Sequence, residues 1–145
     1  MIRVEGNRLS HLGHGVIAPD EKAPFSERLL ALFEGISAVV ADWTPDEAAI
    51  EETFMNTNAA SALKLGHARA AALLAPAKAG LPVAEYAARL VKKSVVGTGA
   101  ADKDQVAFMI ARILPGSAGA SADAADALGV AIAHAHARTR GRLAA

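Results

Sequence analysis

The chain contains no cysteine among its 145 residues. That excludes disulfides and thiolate metal sites, and it suits a reducing compartment. No apolar run is long enough to span a bilayer, and the opening MIRVEGNR lacks the apolar core of a signal peptide. The cytoplasm is therefore the expected location, with no membrane partner. There is no internal repeat. No Walker-type lysine pattern accompanies Gly97-Thr98-Gly99, which makes that stretch a poor phosphate loop. Nor is there a net charge: 15 basic residues balance 15 acidic ones, which argues against a strong nonspecific polyanion binder.

What is present describes one folded domain over residues 1–145. Hydrophobic residues make up 52% and charged residues 21%, at a length sufficient to bury a core. The balanced charge hides an asymmetry. Residues 1–60 hold four basic side chains against ten acidic, and residues 61–145 hold eleven against five. The basic half gives weak support for a nucleic-acid partner.

The organising stretch runs from Asp46 to Ala75, read as a short strand, a tight loop and a long helix. By the strand period of two, Glu51 lies on the face opposite Ile50, at the carboxyl end. Open α/β sheets place their ligands at such ends. After the loop Phe54-Met55-Asn56, the residues Leu63, Gly66, Ala70, Leu73 and Leu74 repeat at helical spacing. A glycine in that stripe costs roughly 1 kcal/mol of helix propensity and suits a closely packed helix pair better than a solvent-facing one.

Elsewhere, residues 1–5 and 9–17 alternate as two strands of an antiparallel hairpin, with Gly6-Asn7 as the turn. Residues 24–41 form an amphipathic helix, with Ser26 as its cap. Val83 to Tyr86 reads as a strand and Ala88 to Val95 as a helix. Asp102 and Gln105 have the spacing of a capping box ahead of another helix. Pro115-Gly116 stops that helix, and residues 116–120 read as a mobile loop. Ser121 caps a last helix, expected to run to about Ala137 before the end frays. Alternating strands and helices after residue 45 indicate an α/β fold with a helix-covered sheet.

The acids carry the chemistry. Asp123 and Asp126 stand three apart in the first turns of the last helix and so share a face. Two readings stay open on spacing alone. Acids favour helix N-termini through the macrodipole, and paired carboxylates hold hard cations such as Mg²⁺. His134 and His136, two apart on a helix, do not form a zinc pair by spacing; one is expected buried and one exposed. Lys92, Lys93 and Lys103 read first as solvated helix surface, and so do His67 and Arg69.

The words AIEETFMNTNAASALKLGHARA, PVAEYAARLVKKSVVGTGAADKDQV and ADAADALGVAIAHAHA resemble the RuvC family of Holliday-junction resolvases. The resemblance runs from about Ile2 to Arg142. It implies an RNase-H-like α/β domain, a mixed five-stranded sheet flanked by helices. It also implies a homodimeric, Mg²⁺-dependent endonuclease with two ions per site, cutting opposed strands of a four-way junction. By resemblance, Glu51, Asp123 and Asp126 are catalytic metal ligands. Phe54 is a wedge-like aromatic that stacks on DNA bases, and Lys92 and Lys103 contact DNA, while Lys93 is left open. The branch-migration proteins RuvA and RuvB are the partners the resemblance implies.

One departure qualifies this. The family's first, central strand carries a G-I-D-P-G type motif with a fourth carboxylate, and these 145 residues contain no such motif. Asp20, in APDEK, precedes the first helix in a loop and is no substitute. The expectation is a chain lacking that strand: a fragment, a coding sequence read from an internal methionine, or a product that cannot cut. The alternative of a different class is a junction-binding or dimerising module without nuclease activity.

Overall fold

The computed structural model describes residues 1–52 and 58–143, with side chains through Thr139. Two compact units emerge, residues 1–16 with 85–145, and residues 17–84.

In the first unit, strands β1 (Ile2–Glu5) and β2 (Arg8–His11) form the expected antiparallel hairpin, closed by Glu5 opposite Arg8. Gly6 takes the left-handed conformation the two-residue turn demands, with φ 61°. The second strand is shorter than the alternation over 9–17 predicts. Beyond His11, Leu12 and Gly13 both donate to the Met1 carbonyl, so the regular ladder ends there. His11 Nε2 lies 2.9 Å from His14 Nδ1. Desolvation, helped by His14 and the N-terminal amine, holds the His11 pKa below its usual 6.5.

Three helices complete this unit: α3 (Ala88–Val96), α4 (Lys103–Ile113) and α5 (Ala122–Leu143). The core lies where α5 meets its two neighbours. Ile110, Leu114, Leu128 and Ile132 are its largest fully buried side chains, joined by Val91, Val95 and Val106. Gly129 permits the close approach, since a Cβ there would stand 3.3 Å from Val91 Cγ1 and 3.4 Å from Ile110 Cδ1.

Two readings of this unit are corrected. Residues 115–117 form a 3-10 turn, in which the buried Ser117 hydroxyl donates to the Leu114 carbonyl at 2.8 Å. The glycine-rich segment is thereby tied down rather than loose at its start. The last helix also continues to Leu143, well past Ala137.

The second unit pairs α1 (Phe25–Trp43) with α2 (Ala59–Lys78). Pro24, not Ser26, is the cap position of α1, and no side chain caps it. Proline's fixed φ prepares the helical entry without a hydroxyl. Thr44, in the left-handed conformation at φ 43°, ends it. Asn58 caps α2 by accepting from the Ser61 amide at 3.1 Å.

α2 is turned differently from the sequence stripe. Ala71, Ala75 and Pro76 are its buried residues, while Leu63, Gly66, Ala70 and Leu74 are exposed. Among the described residues Gly66 has no atom within 4 Å of where a Cβ would stand, so it faces none of their helices closely. Periodicity cannot decide between two apolar faces of an alanine-rich helix, and the small residues win the inward face because they allow closer packing.

Strand β3 (Ala48–Glu51) pairs with β4 (Val83–Tyr86), and the Ala48 amide also donates to the Pro82 carbonyl at 2.9 Å. Among the described residues the strands thus form two separate two-stranded sheets. Such pairs are marginal alone and depend on helices for support.

Candidate active site

Glu51 is the last residue of β3 and is exposed, while Ala48 to Ile50 before it are half-buried. Its carbonyl accepts a hydrogen bond from Arg69 Nε on α2 at 3.0 Å. This tie fixes the strand end beside the helix, so the carboxylate leaves from an anchored backbone. Arg69, read from sequence as helix surface, is therefore a positioning residue for Glu51. Eighteen residues separate the two, and no local pattern announces such a contact. Phe54 lies outside the described residues.

Asp123 and Asp126 occupy the first two turns of α5, both exposed, with Ala124 and Leu128 turned into the core. Ser121 supplies the cap: its Oγ accepts from the Ala124 amide at 3.3 Å, and its carbonyl accepts from Ala125 at 2.8 Å. The helix start thus has a side-chain cap without either aspartate, and both carboxylates are presented outward on one face. Glu51 belongs to one compact unit and the two aspartates to the other. Among the described residues, no group of three or more His, Asp or Glu side chains is gathered as a metal-holding cluster.

The basic candidates sit on α3 and at the start of α4. Lys92 is half-buried and Lys93 exposed, on a helix anchored by buried Val91 and Val95. Lys103 is exposed in the first turn of α4. The connection between the helices is well defined. Gly97 caps α3 at φ 89°, with its amide donating to the Lys93 carbonyl at 2.9 Å. Ala101 is buried, and the capping box forms as read, with Gln105 N donating to Asp102 Oδ1 at 2.8 Å and Asp102 N to Gln105 Oε1 at 3.1 Å.

Both α5 histidines face structure, which corrects the expectation of one buried and one exposed. His134 and His136 are half-buried. Tyr86 Oη lies 2.9 Å from His134 Nδ1, and Ser94 Oγ lies 3.2 Å from His136 Nδ1. These contacts tie α5 to the end of β4 and to α3. Asp20 accepts from the Lys22 amide at 2.9 Å and belongs to a turn before α1.

A family model described as crossover junction endodeoxyribonuclease RuvC matches residues 1–134. The chain belongs to the RuvC family. A relative of that name from Caulobacter vibrioides is 66% identical over 142 residues, covering 98% of this chain and 84% of the relative. One from Maricaulis maris is 70% identical over 131 residues, 90% of this chain and 78% of the relative. Among solved structures, Thermus thermophilus RuvC in complex with a Holliday junction substrate matches with a TM-score of 0.89 at 32% identity. That match covers 97% of this chain and 86% of the other. The RNase-H-like α/β expectation agrees with this RuvC likeness. No helix among the described residues is long and apolar enough to cross a membrane.

Proposed function

We propose that this RuvC-family chain recognises four-way DNA junctions in the cytoplasm and holds the metal ions for an endonuclease reaction that resolves them by paired nicks. The observation that carries the reading is the outward pair Asp123 and Asp126 on a helix start already capped by Ser121. Both stand within the stretch matched by the RuvC model. The donor set suits Mg²⁺, which prefers one or two carboxylates together with waters and substrate phosphate oxygens. Glu51, Asp123 and Asp126 are the ligands we assign. When bound, Mg²⁺ would supply activation of water and stabilisation of the attacking and leaving oxygens of an in-line displacement.

The chain's own residues do the rest. Arg69 holds the Glu51 backbone, and Ser121 fixes the turn that presents the two aspartates. Lys92 and Lys103 contact phosphates, and Phe54 stacks on junction bases, worth roughly 1–3 kcal/mol per base. Truncating either lysine to alanine should weaken binding to a synthetic four-way junction and reduce the slope of log affinity against log salt by about 1. An unchanged slope in both variants would remove them from the interface.

A twofold dimer suits a twofold junction. The exposed α2 stripe is our candidate seam: Leu63 is 64% and Leu74 60% exposed, and Gly66 opens onto empty space where a partner backbone could approach. Sedimentation should show a dimer that Leu74→Glu converts to a monomer; a wild-type monomer at micromolar concentration would contradict the seam. RuvA and RuvB are the protein partners this reading implies. The second reading, a module that binds junctions without cutting them, draws its support from the absence of a fourth carboxylate motif in these 145 residues.

A further inference from the structure

The basic surface of α3 is wider than Lys92 alone. Arg89, Lys92 and Lys93 stand at i, i+3 and i+4, so they line one helical face, opposite the buried Val91 and Val95. No acid occurs in the sequence between Glu85 and Asp102, so α3 itself carries no acid beside these three positive charges. Arg89 is exposed, yet its stem is closely fitted. A Cβ at Gly99 would stand 2.7 Å from Arg89 Cγ, 3.1 Å from its Nε and 3.4 Å from its carbonyl oxygen. Cγ lies near the backbone, so a methyl group at residue 99 would have to push the whole stem aside rather than deflect a mobile tip.

The segment that receives the stem is itself held. Gly97 caps α3, the Thr98 hydroxyl accepts from the Ala100 amide at 3.3 Å, Ala101 is buried, and Asp102 caps α4. A guanidinium on a stem laid along a fixed loop loses less freedom on binding than one on an unsupported chain.

We propose that Arg89, seated against Gly99, is a further phosphate-contacting residue of the junction interface, acting with Lys92 and Lys93. The proposal rests on the junction-binding reading above. Its chemistry is that of a planar, always charged donor fork, which matches phosphate oxygens in pairs. Gly99 is then a positioning residue: its missing side chain sets where the fork points.

The test uses the 145-residue chain and a synthetic four-way junction, with affinity measured across a salt series. Arg89→Ala should weaken binding several-fold and lower the salt slope by about 1, as for Lys92→Ala, with the far-UV circular dichroism spectrum unchanged. Arg89→Lys should restore most of the slope, because the charge is kept, and less of the affinity, because the fork is lost. Gly99→Ala should weaken binding too, and the double variant should bind no worse than Arg89→Ala alone, since both changes act through one contact. If Arg89→Ala leaves the slope intact while Lys92→Ala lowers it, Arg89 is not a phosphate contact and the junction reading stands. The same conclusion about Arg89 follows if its loss lowers only thermal stability. If the wild-type chain itself does not bind the junction, the junction reading fails and takes this proposal with it.

Discussion

A four-way junction incubated with the 145-residue chain in Mg²⁺ should be bound and left uncut. Fusing ahead of Met1 a strand of the G-I-D-P-G type should then raise cleavage at least about a hundredfold. The magnitude follows from what one carboxylate does at a metal site. Even partners outside the ligand set commonly cost 10–100-fold in affinity or activity, and a direct ligand costs more. On the proposed assignment the 145 residues supply Glu51, Asp123 and Asp126, and they contain no G-I-D-P-G motif of the type that the resemblance links to a fourth acid. On the ligand assignment proposed above, Glu51, Asp123 and Asp126 would hold the metal with one carboxylate fewer, and two-metal hydrolysis would lose part of its stabilisation of the attacking and leaving oxygens. The added strand should also serve the fold, because the strands of the described residues form two separate two-stranded sheets. A strand bonded on both edges satisfies backbone groups that a pair leaves to solvent. Gel analysis of end-labelled junctions checks both halves. Cutting by the unextended chain would overturn the three-acid argument, and failure of the extended chain would favour the non-cleaving module.

Ile132→Ala should destabilise the chain by about 2–5 kcal/mol, read from urea denaturation. Ile132 is completely buried on α5, one turn beyond Leu128 at 2% exposure, and the spine continues through Ala124 and Ala135. Close packing at Gly129 leaves little room for neighbours to collapse into the lost volume. Domains of this size hold only about 5–15 kcal/mol in total, so this single truncation removes a large share. Val16→Ala, at a residue 54% exposed, should stay within about 0.5 kcal/mol. Equal losses at the two positions would contradict the placement of the core.

Local chemistry was legible where both partners lie close in sequence. The Gly6-Asn7 turn, the Asp102–Gln105 capping box, the Ser121 cap and the strand Val83–Tyr86 all emerge as read. Contacts between distant residues were not legible. Arg69 reaches Glu51 across eighteen residues, and Ser94 and Tyr86 reach the α5 histidines across more than forty. The outward turn of the α2 leucines was hidden because alanine gives the opposite face an apolar period of its own. Ser26 misled because a proline two residues earlier enters the helix without needing a hydroxyl. For the candidate site, sequence named the acids and the structure describes their local settings: one strand end pinned by an arginine, one helix start capped by a serine.

Manganese titration followed by amide NMR tests the central assignment most directly, since Mn²⁺ takes the same oxygen donors as Mg²⁺ and broadens nearby signals. One metal event should broaden amides next to Glu51 together with those from Ala122 to Ala127, and Glu51→Gln or Asp126→Asn should weaken it at both places. Broadening confined to the α5 aspartates and indifferent to Glu51→Gln would contradict a shared set of ligands.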